Sequence, residues 1–238
     1  MKEQETKGGK TSGIDNPKVD AVSSGSKEDT KSISSFDVFE KCLIRAENLL
    51  SVHDSTETIK EITEKHYCDC YRAAVVLTIS ALDAFVRKIV ISEIRKVVSD
   101  TKKTIKPELK DYLKKLLNQD KLLDAARNYN FLEKVEKAVK DDFETKSFQG
   151  EWKITSFLKM VGHDNIFSSV AVKANINESN LKRKLNLFTS RRHVIAHSGD
   201  YNLNQTPHSE NDINKNYAKE CIEIVRLFAS NIHEIIEQ

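Results

Sequence analysis

With 238 residues, 39% of them hydrophobic and 31% charged, the chain can bury one good core within a single folded domain. Its 38 basic and 36 acidic side chains leave a net charge of only +2, which excludes a bulk electrostatic case for nucleic-acid binding; any such case must be local. Of its 7 glycines, Gly8, Gly9, Gly13 and Gly25 all fall near the start, and with 3 prolines in the whole chain the remainder holds few turn residues and favours helices.

Residues 1–35 are rich in Lys, Glu, Ser, Thr and Gly, and their scattered Ile14, Val19, Val22 and Ile33 share no periodic face, so a disordered tail is expected, followed by one all-α domain over 36–238. The tail has no Arg and carries several acids, which argues against a mitochondrial presequence. Cys42, Cys68, Cys70 and Cys221 lack framework spacing and no signal peptide precedes them, so reduced thiols in the cytoplasm are expected. From Ser35, the apolar residues Phe36, Phe39, Leu43, Ala46 and Leu50 recur with helical spacing. Asp54, Ser55 or Thr56 could cap a next, long helix reaching about Val98.

The heart of that helix, Tyr71 to Val90, is apolar on nearly all sides and reads as a central buried helix. It is not a membrane span, because Arg72, Asp83, Arg87 and Lys88 break the run far short of the roughly 20 apolar residues a bilayer needs. Asp83 is its anomaly: it either lines a solvated strip or pairs with Arg192 or His197. His66, Cys68 and Cys70 lack zinc spacing, so no metal and no cofactor is expected.

Between Arg87 and Lys121 bases outnumber acids, either as plain solvated surface or as contacts to an RNA backbone. Pro107 opens a helix with Leu109, Tyr112, Leu113, Leu116 and Leu117 on its inner face. A single amphipathic helix is predicted over 119–141. Ser147 to Asn177 reads as short helices forming a lid or insertion; its aromatic residues, Trp152 among them, are expected in the core rather than stacked on bases. A polar loop from Asp200 to Asp212 precedes a last helix from about Asn214 to Ile236.

The stretch Leu181 to Asp200 carries the chemistry. Leu181, Leu185, Phe188 and Ile195 share one helical stripe, Arg192 fills the missing slot of that stripe, and Gly199 is a plausible helix stop. A guanidinium on a buried face must be neutralised or hydrogen-bonded. His197 lies five residues on, about 140° round an unbroken helix. If the two converge, either Arg192 reaches across the last turn or the helix is already ending at His197.

Arg192-His193-Val194-Ile195-Ala196-His197 resembles the R-x4-H motif of the HEPN superfamily, in the form with a polar residue, here His193, straight after the arginine. The resemblance implies an all-α bundle of HEPN type with a long central buried helix and a helical insertion. It also implies a metal-independent endoribonuclease whose composite site lies at a homodimer interface, of the antiviral-defence or toxin type. Arg192 and His197 would be catalytic, with His193, Asp83 and Ser80 in support. Arg191, Lys182, Arg183 and Lys184 on the same helix would meet the RNA. His193 could equally be plain surface. Toxins paired with a nucleotidyltransferase antitoxin carry an extended R-x4-H-x-Y motif, but Gly199 stands at the tyrosine position here and Tyr201 comes two residues late, so that regulation is not carried over. A regulatory or antitoxin partner of another kind stays open, as do two other readings: a catalytically silent dimerisation or nucleotide-binding module, and a helical interaction protein with Arg192 in a structural ion pair.

Overall fold

The molecule is built round one 36-residue helix. In the computed structural model, which describes residues 33–56, 63–202, 204 and 206–237, helix α1 is Ser35–Thr56 and the central helix α2 is Glu64–Ser99. Because α2 is apolar on nearly every side, it cannot satisfy itself with one neighbour: α1, α5 (Phe131–Glu144), α8 (Glu178–Ser198) and α9 (Lys215–Ile236) all pack against it. Val75, Ile79, Leu82, Phe85, Val86 and Val90 are completely or almost completely buried there. Each such side chain is worth about 1.5–3 kcal/mol of hydrophobic stabilisation. This is the all-α bundle with a long central buried helix that the sequence predicts.

Helix starts follow local chemistry. At α1 the Asp37 N–H donates to Ser34 Oγ (3.0 Å) and the Ser34 N–H donates back to Asp37 Oδ2 (3.1 Å), a reciprocal cap. Asp54, Ser55 and Thr56 do not cap α2 as expected; they form the last turn of α1. Thr63 precedes α2, and its N–H donates to His66 Nδ1 (3.1 Å). Asn214 Oδ1 accepts from the Tyr217 N–H at the head of α9.

Helices α3 (Pro107–Leu116), α4 (Gln119–Arg127) and α5 form a side layer attached to α2 through α5. The single helix expected over 119–141 is two, broken where Tyr129 takes a left-handed φ of 52°. Apolar spacing alone hides this break, since the pattern resumes beyond it. Helices α6 (Glu151–Met160) and α7 (Ile166–Lys173) are part of the bundle: α7 lies on α8 and α9, with Phe167 stacked on Phe228 at 4.7 Å. Ile154, Leu158, Ile166 and Phe167 are buried as expected, whereas Trp152 is 68% exposed, contrary to its expected place in the core. The polar stretch after α8 holds a two-residue ribbon, β1 (Tyr201–Asn202) antiparallel to β2 (Ser209–Glu210). Among the described residues no helix is long and apolar enough to cross a membrane. The expected tail lies outside the described residues except for positions 33–35, the last of which opens α1.

Candidate active site

Helix α8 starts at Asn177, whose Oδ1 accepts from the Asn180 N–H (2.9 Å). Leu181, Leu185 and Phe188 are buried, which fixes the rotation of the helix about its axis. At the far end Gly199 adopts φ 60°, ψ 26°, the left-handed geometry that costs glycine least. Its N–H returns to Ile195 O (3.1 Å) and the Asp200 N–H returns to Val194 O (3.4 Å), so the chain turns back sharply under the helix end.

That turn delivers Asp200 into the protein, where it is fully buried. Its Oδ2 accepts from Arg72 Nε of α2 (2.9 Å) and from Arg191 Nη2 of α8 (2.7 Å). Arg72 also donates to Asp69 Oδ1 (2.9 Å) and Asn211 O (3.1 Å), and its Nη1 lies 3.2 Å from Glu210 Oε2. Arg191 donates further to Asn211 O (3.2 Å) and Asp212 O (3.0 Å). Burial alone would lower the Arg72 pKa, but its hydrogen bonds to Asp200 and Asp69 outweigh it, and the guanidinium is held above its usual value. Two cations round one fully buried carboxylate are tolerable because Asp69, Glu210 and the carbonyls of Asn211 and Asp212 supply further acceptors. The cluster ties the end of α8 to α2 and to the β1–β2 ribbon.

The other side of the last two turns differs. Arg192 is half-buried, and its Nε, like that of Arg191, is shut off from solvent with no hydrogen-bond partner among the described residues; unlike Arg191, it has no acceptor for its other nitrogens there either. An unpaired buried donor costs about 1–3 kcal/mol, more when charged. His193 and His197 are exposed, one turn apart, with ring centroids separated by 4.2 Å and planes inclined at 46°. Helix α8 runs unbroken through Ser198, so His197 is not displaced by an early helix end. The ring beside His197 is that of His193, while Arg192 projects from the half-buried side of the helix.

Other expected site residues sit elsewhere. Asp83 is buried but does not pair with Arg192 or His197: it accepts from Arg87 Nη2 (2.8 Å), from the Phe148 N–H (2.6 Å) and from Ser147 Oγ (3.3 Å). Because Arg87 also donates to Lys146 O (3.1 Å), this pair clamps the α5–α6 connection onto α2. Ser80 is half-buried on α2. Of the expected RNA contacts, Lys182 lies 2.8 Å from Glu178 and 3.4 Å from Glu151, Arg183 donates to Asn180 Oδ1 (2.8 Å), and Lys184 pairs with Glu220. Arg191 is held in the Asp200 cluster. The sequence assigns no site role to Arg72, Asp200 or Asn211. An arginine at the head of the apolar run of α2, and an acid next to a helix-stop glycine, are the signals in the sequence that point to the first two.

No curated protein and no solved structure matches this chain. The model of the RiboL-PSP-HEPN family matches residues 40–238, a span from α1 through α9 that includes the whole Arg192 to His197 motif. A helical bundle organised on a central helix, with an arginine-histidine motif at the end of its penultimate helix, is thus a HEPN-type module, and the chain belongs to the RiboL-PSP-HEPN family.

Proposed function

We propose that the protein is a metal-independent endoribonuclease whose site is completed by a second copy of the chain, acting in antiviral defence or toxin-type growth arrest. The observation that supports this is that the last two turns of α8, fastened from behind by the Asp200 cluster, carry an arginine, Arg192, with no acceptor among the described residues and, on another side of the helix, two exposed imidazoles. A guanidinium has planar donors matched to phosphate and stays charged throughout the accessible pH range. An imidazole ordinarily titrates near ~6.5 and can take or give a proton at neutral pH.

In this reading Arg192 binds the scissile phosphate and stabilises charge growing on its non-bridging oxygens. His197 of one copy takes the proton of the ribose 2′-hydroxyl as its oxygen forms a bond to phosphorus. His197 of the other copy gives a proton to the 5′-oxygen as the P–O5′ bond breaks. The products are a 2′,3′-cyclic phosphate and a 5′-hydroxyl. Two copies are required because one chain offers one Arg192 and one His197, set about 140° apart round an unbroken helix. His193 would bond across the site or fix Arg192.

Incubation of total cellular RNA with the protein in excess chelator tests this, comparing wild type with His197→Ala and analysing the ends formed. Cleavage by wild type alone with cyclic-phosphate ends is the expected result; no cleavage by folded, dimeric wild type would overturn it. A second reading, a catalytically silent dimerisation or nucleotide-binding module, draws support from Lys182, Lys184 and Arg191, whose charges already face carboxylates of their own chain.

A further inference from the structure

The His193–His197 pair has a property that acid–base chemistry does not use. Two histidines four residues apart on a helix face present both imidazoles to the same point in space, which is how helices bind zinc through two of its ligands. Both rings are exposed, their centroids lie 4.2 Å apart, and their planes are inclined rather than stacked. A zinc ion holds each imidazole nitrogen at about 2.0–2.1 Å, so in tetrahedral geometry two such nitrogens stand about 3.3 Å apart. Rings held that way have their centroids about 5 Å apart, so the two exposed rings, 4.2 Å apart here, would open by side-chain rotation to take the ion.

We propose that His193 and His197 chelate a late first-row divalent cation, zinc above all. Imidazole suits such metals, whereas Mg²⁺ and Ca²⁺ prefer oxygen donors. Val194 occupies the position at which a helical zinc protease carries its glutamate base, and among the described residues no three His, Cys, Asp or Glu side chains converge on one point. The ion is therefore held by two protein ligands, with water in the remaining positions, and is neither a structural centre nor a hydrolytic one. Its consequence is inhibition. A coordinated His197 has its lone pair on the metal and cannot take a proton, so the occupied site is silent; this clause rests on the ribonuclease reading, while the binding does not.

Isothermal titration of the full chain with ZnCl₂, without RNA, tests the site independently of any activity. His193→Ala and His197→Ala should each weaken one binding event by at least the roughly 10–100-fold that even an outer-shell partner is worth, while His208→Ala, at an exposed histidine after β1, leaves it unchanged. Circular dichroism confirms that each variant folds. Zinc binding that survives both single substitutions, or an absence of zinc binding by the wild-type chain, would overturn the proposal. Loss of binding on either substitution would establish it even if the chain never cleaves RNA.

Discussion

Arg191 and Arg192 are adjacent in sequence and opposite in circumstance. Arg191 Nη2 alone meets Asp200 and two backbone carbonyls, and the side chain crosses the Tyr217 ring at 5.9 Å. Both arginines have a sealed Nε without a partner, but Arg192 has no acceptor for any of its nitrogens among the described residues. One arginine fastens the helix end and the other has no acceptor among the described residues. An exposed arginine could be idle; a half-buried one without a partner carries a desolvation cost that a bound anion would offset.

The contrast can be broken from the fastening side first. Asp200→Ala leaves Arg72 and Arg191 facing each other without their shared carboxylate, and should destabilise the fold by about 3–5 kcal/mol, read from urea denaturation. On the open side, His197→Ala should reduce RNA cleavage by about 10²–10⁴-fold, in keeping with loss of a general acid or base, with the urea midpoint unchanged because the ring is exposed. Gly199→Ala, at φ 60°, should cost about 1–2 kcal/mol in the same denaturation experiment. It should also reduce cleavage, since the turn delivers Asp200 to its partners. Trp152→Ala, removed from both sides and 68% exposed, should shift stability by no more than about 0.5 kcal/mol and leave cleavage as it was.

The sequence carried much of the bundle and part of the site. Periodicity exposed the apolar stripe of α8, the all-round burial of α2 and the Pro107 helix start, because each depends on residues close together in the chain. Gly199 was readable as a helix stop for the same reason. What escaped depends on long-range geometry. Asp83 was recognisable as an acid in an apolar helix, and its Arg87 partner lies one turn on, yet its other partners come from a connection more than sixty residues away, and nothing local told Phe148 from Arg192 as a further group it meets. Arg191 is expected from the sequence to meet RNA, because its acceptors, Asp200 and the carbonyls of Asn211 and Asp212, come together only after the chain reverses beyond Gly199. Trp152 was expected inside on hydrophobicity alone, but the buried face of α6 is set by Ile154 and Leu158.

The most direct measurement is RNA cleavage by Arg192→Ala in chelator, paired with its urea denaturation midpoint. Cleavage should fall by about 10²–10³-fold, the loss typical of removing one group that stabilises transition-state charge, while stability stays at or above that of wild type, because no hydrogen bond is lost and an unpaired donor is removed. Undiminished cleavage, or a collapse in stability like that expected of Asp200→Ala, would contradict the division between a fastening and an open arginine.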